Sequence, residues 1–274
     1  MCKENSGFRE RAFLVSVCIS VSVCWLSSCE LEMVERTKML RRRFEERFAS
    51  VLEGAREGER RCLEGKRWGG SAVLMLVDAA LDSIGLNYFN IVVPRVRKFW
   101  EEFVRTGEID SFKKLAERSP GDTSLLKIMK NRRVWNVAVS ASRVFKALKE
   151  RECLSDFEAL RRWAERAEPE KWREDEIGRI KGVGLVTFQY LRMQAGVDTT
   201  MPDKVIKRVL SEEFGINAGD DIAFIREVER FSTEIGYSQI FICWAIWLRE
   251  SDKGRGEWEL TECASRSPEL LSPA

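Results

Sequence analysis

Apolar positions recur three and four apart along most of this chain, and no run alternates singly for the length of a strand, so the pattern predicts helices throughout. Leu40, Phe44, Phe48, Val51 and Leu52 mark one amphipathic helix between Glu35 and Arg67, polar beyond Gly54 and broken by Gly69-Gly70. Ser71 is placed to cap an apolar helix through Leu81, and Pro94 to start another that carries Val96, Phe99, Trp100, Phe103 and Val104. Pro120-Gly121 marks a turn. Beyond it the pattern predicts helices over 131–149, 154–167, 220–234 and 238–249. Phe241, Trp244 and Trp247 on the last of these read first as core, and as a possible wall of a ligand pocket second. There is no internal repeat, and the expectation is an all-α fold of about ten helices.

The chain is organised around residues 177–210. Ile177 and Ile180 are expected to close an amphipathic helix, Gly182-Val183-Gly184 to make a tight turn, and Val183, Thr187, Tyr190 and Leu191 to return at helical spacing. A glycine turn that opens a helix leaves unpaired N–H groups at the positive end of the helix dipole, where a phosphate can sit. The alternative is that the glycines only let two helices pack closely.

This run resembles the helix-hairpin-helix motif of the DNA glycosylase superfamily that includes endonuclease III and the adenine mismatch glycosylases. There a Gly-hydrophobic-Gly hairpin is followed by two variable residues and Thr; here these are Gly182-Val183-Gly184, Leu185-Val186 and Thr187. The resemblance covers roughly Trp68 to Arg249 and implies a two-lobed helical fold, with residues 128–214 as the lobe that carries the hairpin and the substrate cleft between lobes. It also implies a catalytic Asp at the start of the helix after the hairpin. Asp203 is the candidate: Met201-Pro-Asp203 looks like the Pro-Asp of the alkylpurine glycosylases, and the residues after it look like the run that follows the catalytic Asp in the adenine enzymes. Asp198, in a Val-Asp-Thr like that of endonuclease III but too close to the hairpin, is the alternate. Asp203 has a bland reading too, as the last member of a capping box that starts at Thr200 or as a partner of Lys207 one turn on.

By the same resemblance Lys181, Gly182, Val183, Gly184 and Thr187 would contact DNA. A wedge that fills the gap left by an extruded base would come from the loop Ser83–Tyr88, which offers Leu86, Asn87 and Tyr88 where the family often has Gln. Bifunctional relatives place an attacking Lys two residues after the second hairpin Gly. Val186 stands there, so the implied reaction is monofunctional hydrolysis of the bond between a damaged or mispaired base and its sugar.

Composition narrows the chemistry. The 274 residues contain no histidine, which removes His triads, His general bases and Cys/His zinc sites and leaves carboxylates, Lys, Tyr, Ser, Thr or Cys for any catalysis. Net charge is +2, so contact with double-stranded DNA, the expected partner, would have to come from local basic clusters. Cysteines at 2, 18, 24, 29, 62, 153, 243 and 263 form no C-x-x-C pair. Iron–sulfur relatives carry four closely spaced cysteines near the C-terminus, so no cluster, no metal and no other cofactor is expected. A monomer is expected.

Residues 1–32 have the layout of a secretory leader, and Leu26-Ser-Ser-Cys29 resembles a lipoprotein cleavage box with Cys29 as the lipidated residue. The competing reading is a start assigned too far upstream, with Met33 or Met39 as the true beginning and a cytoplasmic protein. The expected organisation is therefore a leader or extension (1–32), a charged amphipathic helix (33–67), the glycosylase-like domain (68–250) and a disordered tail (251–274). Two rival functions follow: a non-catalytic DNA-binding protein that keeps the hairpin, and a lipid-anchored envelope protein.

Overall fold

The helix α3 (Ala72–Asp82) sits at the centre, and all its residues from Ala72 to Leu81 are buried. A helix apolar on every side needs neighbours on every side. It finds them in α7 (Arg132–Glu152), α8 (Asp156–Arg166), α9 (Leu185–Gln194), α4 (Val93–Phe99) and α5 (Phe112–Ala116). Ser71 caps α3 by accepting from the N–H of Leu74. The computed structural model describes residues 28–250, with side chains from residue 32, and these residues are all-α, with no strand among them. The leader and its cleavage box through residue 27, the Cys29 side chain and the tail from 251 lie outside the described residues.

The other helices are α1 (Ser28–Phe48), α2 (Leu52–Leu63), α6 (Thr123–Ile128), α10 (Lys204–Phe214), α11 (Asp221–Ile235) and α12 (Gln239–Glu250). Their starts are written locally: Asn131 caps α7, Ser155 and Glu158 form a capping box on α8, and Asp220 caps α11. Each such cap stabilises by about 1 kcal/mol. From Thr37 onward the chain packs as one unit. Among the described residues no helix is long and apolar enough to cross a membrane.

Four expectations need correction. The charged segment 33–67 is two helices, broken by a short 3-10 turn at Ala49–Val51. It is no separate element, because α2 lies along α12 and buries Gly54, Ala55, Gly58 and Cys62 there. The helix expected from Pro94 begins earlier, through a wide turn at Tyr88–Val92 that Asn87 caps by accepting from the N–H of Asn90. Before the hairpin there is no α-helix: residues 172–182 are successive turns, closed by Arg179 N–H to Asp175 O at 2.9 Å and Ile180 N–H to Ile177 O at 3.1 Å. Gly178 permits this geometry, since a Cβ there would fall 1.6 Å from the carbonyl oxygen of Trp172. Ile177 is buried as expected, but from a turn.

Candidate functional site

The hairpin rests on α7. Asn136 donates its side-chain amide to the carbonyl of Lys181 at 2.8 Å, and Gly182 has φ +113 with Val137 and Arg133 packed beneath it. A Cβ on Gly182 would meet Val137 Cγ2 at 2.8 Å, so both its backbone and its surroundings require glycine. Gly184 is different. It is the extended N-cap of α9, nothing lies within 4 Å of its would-be Cβ, and no side chain caps the helix. The first N–H groups of α9 thus have no intrahelical partner, and no side chain among the described residues takes their place. Val183 is half-buried, whereas Thr187 is buried, so anything Thr187 offers outward is its backbone N–H.

At this turn the exposed side chains of Arg133, Arg179 and Lys181 form no ion pair among the described residues. Glu174 and Glu176 are exposed acids in the turn segment. Several cations elsewhere are neutralised: Arg60 pairs with Glu57 and Glu64, Arg118 with Glu108 and Asp122, and Arg208 with Glu212 and Glu250. The near-zero net charge therefore hides a local concentration of unpaired cations at the hairpin.

Beyond α9 residues 197–203 are irregular, and interior polar groups hold them in place. Gln189 Nε2 donates to Thr199 Oγ1 at 2.6 Å and to Thr200 O at 3.1 Å, and Thr200 Oγ1 lies 2.9 Å from Cys243 Sγ. Thr200 is thus an interior anchor, and the capping box expected from it does not form. Asp203 is itself the N-cap of α10. Its Oδ1 accepts from the N–H of Ile206 at 2.7 Å, and its Oδ2 accepts from Trp247 Nε1 at 2.8 Å. Lys207 turns away to Asp221 at 2.8 Å instead of pairing with Asp203. Burial pushes the Asp203 carboxyl above the ordinary carboxylate range, with the two N–H donors pulling the other way. Asp198 is engaged at the start of α12, where its Oδ1 accepts from the N–H of Ile240 at 3.0 Å.

Behind Trp247 lies a buried polar cluster. Asp78 Oδ2 accepts from Trp68 Nε1 at 2.7 Å, Tyr190 OH at 2.8 Å, Tyr88 OH at 3.2 Å and Arg67 Nη2 at 3.2 Å. The Tyr88 ring stacks on Trp247 with centroids 5.1 Å apart. Of the three wedge candidates Tyr88 therefore points inward, and the half-buried Leu86 and exposed Asn87 remain at the loop surface. One turn beyond Asp78 on α3 stands Asp82, half-buried and without a hydrogen-bond partner for its carboxyl among the described residues. Burial first, then the charges of Asp78 and Asp203, push Asp82 up to about 8, so it is largely protonated at neutral pH.

Arg67, Asp78, Asp82 and Tyr190 are the functional candidates that sequence patterning passed over. A signal existed: Asp78 stands inside the apolar run Ala72–Leu81, where it has no solvated face to occupy, and Asp82 follows one turn on. No family model, no curated protein and no solved structure matches this chain.

Proposed function

We propose that this protein is a DNA base-excision glycosylase of the helix-hairpin-helix kind, with Asp203 as its catalytic carboxylate. The observation that supports the reading is Asp203, a mostly buried carboxyl at the start of α10 held by the Ile206 and Trp247 N–H groups, with its charge reaching Asp82 on α3. Neighbouring carboxyls whose environments differ supply an acid and a base at one pH. The cations and the N–H groups at the start of α9 would hold the DNA backbone, and the target nucleotide would leave the stack to reach the carboxyls. As the base departs, positive charge grows on the sugar, and ionised Asp203 stabilises it and orients a water. Asp82 gives its proton to the leaving base; the water adds to the sugar carbon and yields a proton in turn. The two lobes of such a fold would be the helices from 128 to 214 and the remainder.

A second reading, a DNA-binding protein without catalysis, has one observation in its favour. Both oxygens of Asp203 already accept N–H bonds, as a purely structural cap would. A panel of duplexes, each with one altered or mispaired base, separates the two by scoring abasic sites. The expected result is excision of at least one base by the unaltered protein and a loss of about 100-fold or more in Asp203→Asn, the scale of removing one transition-state charge contact. DNA binding without excision across the panel would leave the non-catalytic reading.

A further inference from the structure

The chain carries a recess lined by Tyr88 and bounded by α2, α4, α12 and the turn Arg67–Gly70. The recess is narrow, about 30 Å³ in volume, and opens to solvent on one side. Arg61, Arg67 and Arg97 line it together with Trp68, Tyr88 and Trp244, and no acidic side chain does.

The arginines differ in how far they are satisfied. Arg61 pairs with Glu57, but Glu57 also serves Arg60. Arg97 is exposed and has no ion pair among the described residues. Arg67 is 8% exposed, and its Nη2 makes every hydrogen bond the guanidinium has, to Asp78, Tyr88 and Tyr190. Its Nε is buried without a partner. A guanidinium has five donors in a fixed fork, and half of this one is turned away from its carboxylate.

Local backbone geometry is spent on this arrangement. Trp68 is left-handed, φ 49 and ψ 41, followed by Gly69 and Gly70 at φ 64 and 83. A bulky residue is seldom found there, and such outliers gather at functional positions. The turn directs Arg67 and Trp68 into the same interior. On the far wall Gly58 lets the Trp244 ring lie against α2, where a Cβ would fall 2.4 Å from it, and that ring faces the Arg67 guanidinium at 4.9 Å.

We propose that this recess is a binding site for a phosphate-sized oxyanion, held by Arg67 and Arg97 against the indoles of Trp68 and Trp244. Planar forked donors suit phosphate and carboxylate oxygens, and an anion here completes the hydrogen bonding of a buried cation. The ligand is either a free phosphate or a phosphate carried on a nucleic-acid end, and the recess recognises the same group in both. The site is independent of base excision, and its test uses no excision assay.

The full chain is titrated with inorganic phosphate at constant ionic strength, reading tryptophan fluorescence and thermal midpoint. Saturable change in both is expected. Arg97→Gln, an exposed position whose loss leaves the fold intact, should weaken phosphate binding about tenfold, while Lys98→Gln, the same charge change on the same helix, should leave it within about twofold. A second arm replaces phosphate with a short oligonucleotide bearing or lacking a 5′-phosphate. Saturation by phosphate alone assigns a free ligand; saturation only by the phosphorylated oligonucleotide assigns a nucleic-acid end. No saturation in either arm, or equal weakening by Arg97→Gln and Lys98→Gln, overturns the proposal.

Discussion

Asp203 shows how one side chain can be both cap and candidate catalyst. Asn keeps the capping acceptor for Ile206, so the helix start survives in Asp203→Asn. Its amide NH2 would then meet the Trp247 N–H donor to donor, and the variant should lose about 1–3 kcal/mol in denaturant titration beyond any effect on excision. Asp82 carries a pH signature. Its folded-state value of about 8 lies above the unfolded value of about 3.9, so the folded protein holds the proton more tightly. That contribution to stability is full below the unfolded value and is lost as pH rises through about 8. Thermal melts of Asp82→Asn and the unaltered protein should therefore diverge in the variant's favour between pH 5 and 9, with most of the divergence complete past about 8. Parallel melting curves would show that Asp82 ionises freely.

At the scale of elements, the two hairpin glycines separate by surroundings. Gly182→Ala forces a left-handed backbone and a clash with Val137, and should cost about 1–3 kcal/mol. Gly184→Val meets no atom within 4 Å and keeps an allowed extended φ of −111, so it should fold with a loss of about 1 kcal/mol or less. Its branched side chain would stand over the first N–H groups of α9. Weaker DNA binding in folded Gly184→Val, read by fluorescence anisotropy, is the expected outcome; unchanged binding would make the hairpin a packing device. The same scale explains the turns before the hairpin. Helical periodicity at Ile177 and Ile180 cannot register that Gly178 must lie against a carbonyl oxygen.

For the whole molecule, near-zero net charge makes DNA affinity depend on where cations remain unpaired. If the hairpin cluster carries the contact, Lys181→Gln with Arg133→Gln should lower the slope of log K against log salt by about 1.8, at 0.9 per phosphate contact. The same substitutions at Arg60 and Arg118, already paired with carboxylates, should leave the slope within error.

What the sequence determined by itself is the set of helices and their starts. The 3.6-residue period and the caps Ser71, Asn131 and Asp220 are local, carried by residues three or four apart. The glycine turn, and the place of Asp203 at the start of a helix, were legible for the same reason. The partners were not: Trp247 lies 44 residues beyond Asp203, and Tyr190 lies 112 residues beyond Asp78, separations that no periodicity spans. Nor could pattern tell that Tyr88 turns inward, that Lys207 prefers Asp221, or that Arg67 meets its carboxylate with only part of its fork. Those outcomes depend on which buried polar groups packing brings within hydrogen-bond reach, and packing is a property of the folded chain as a whole.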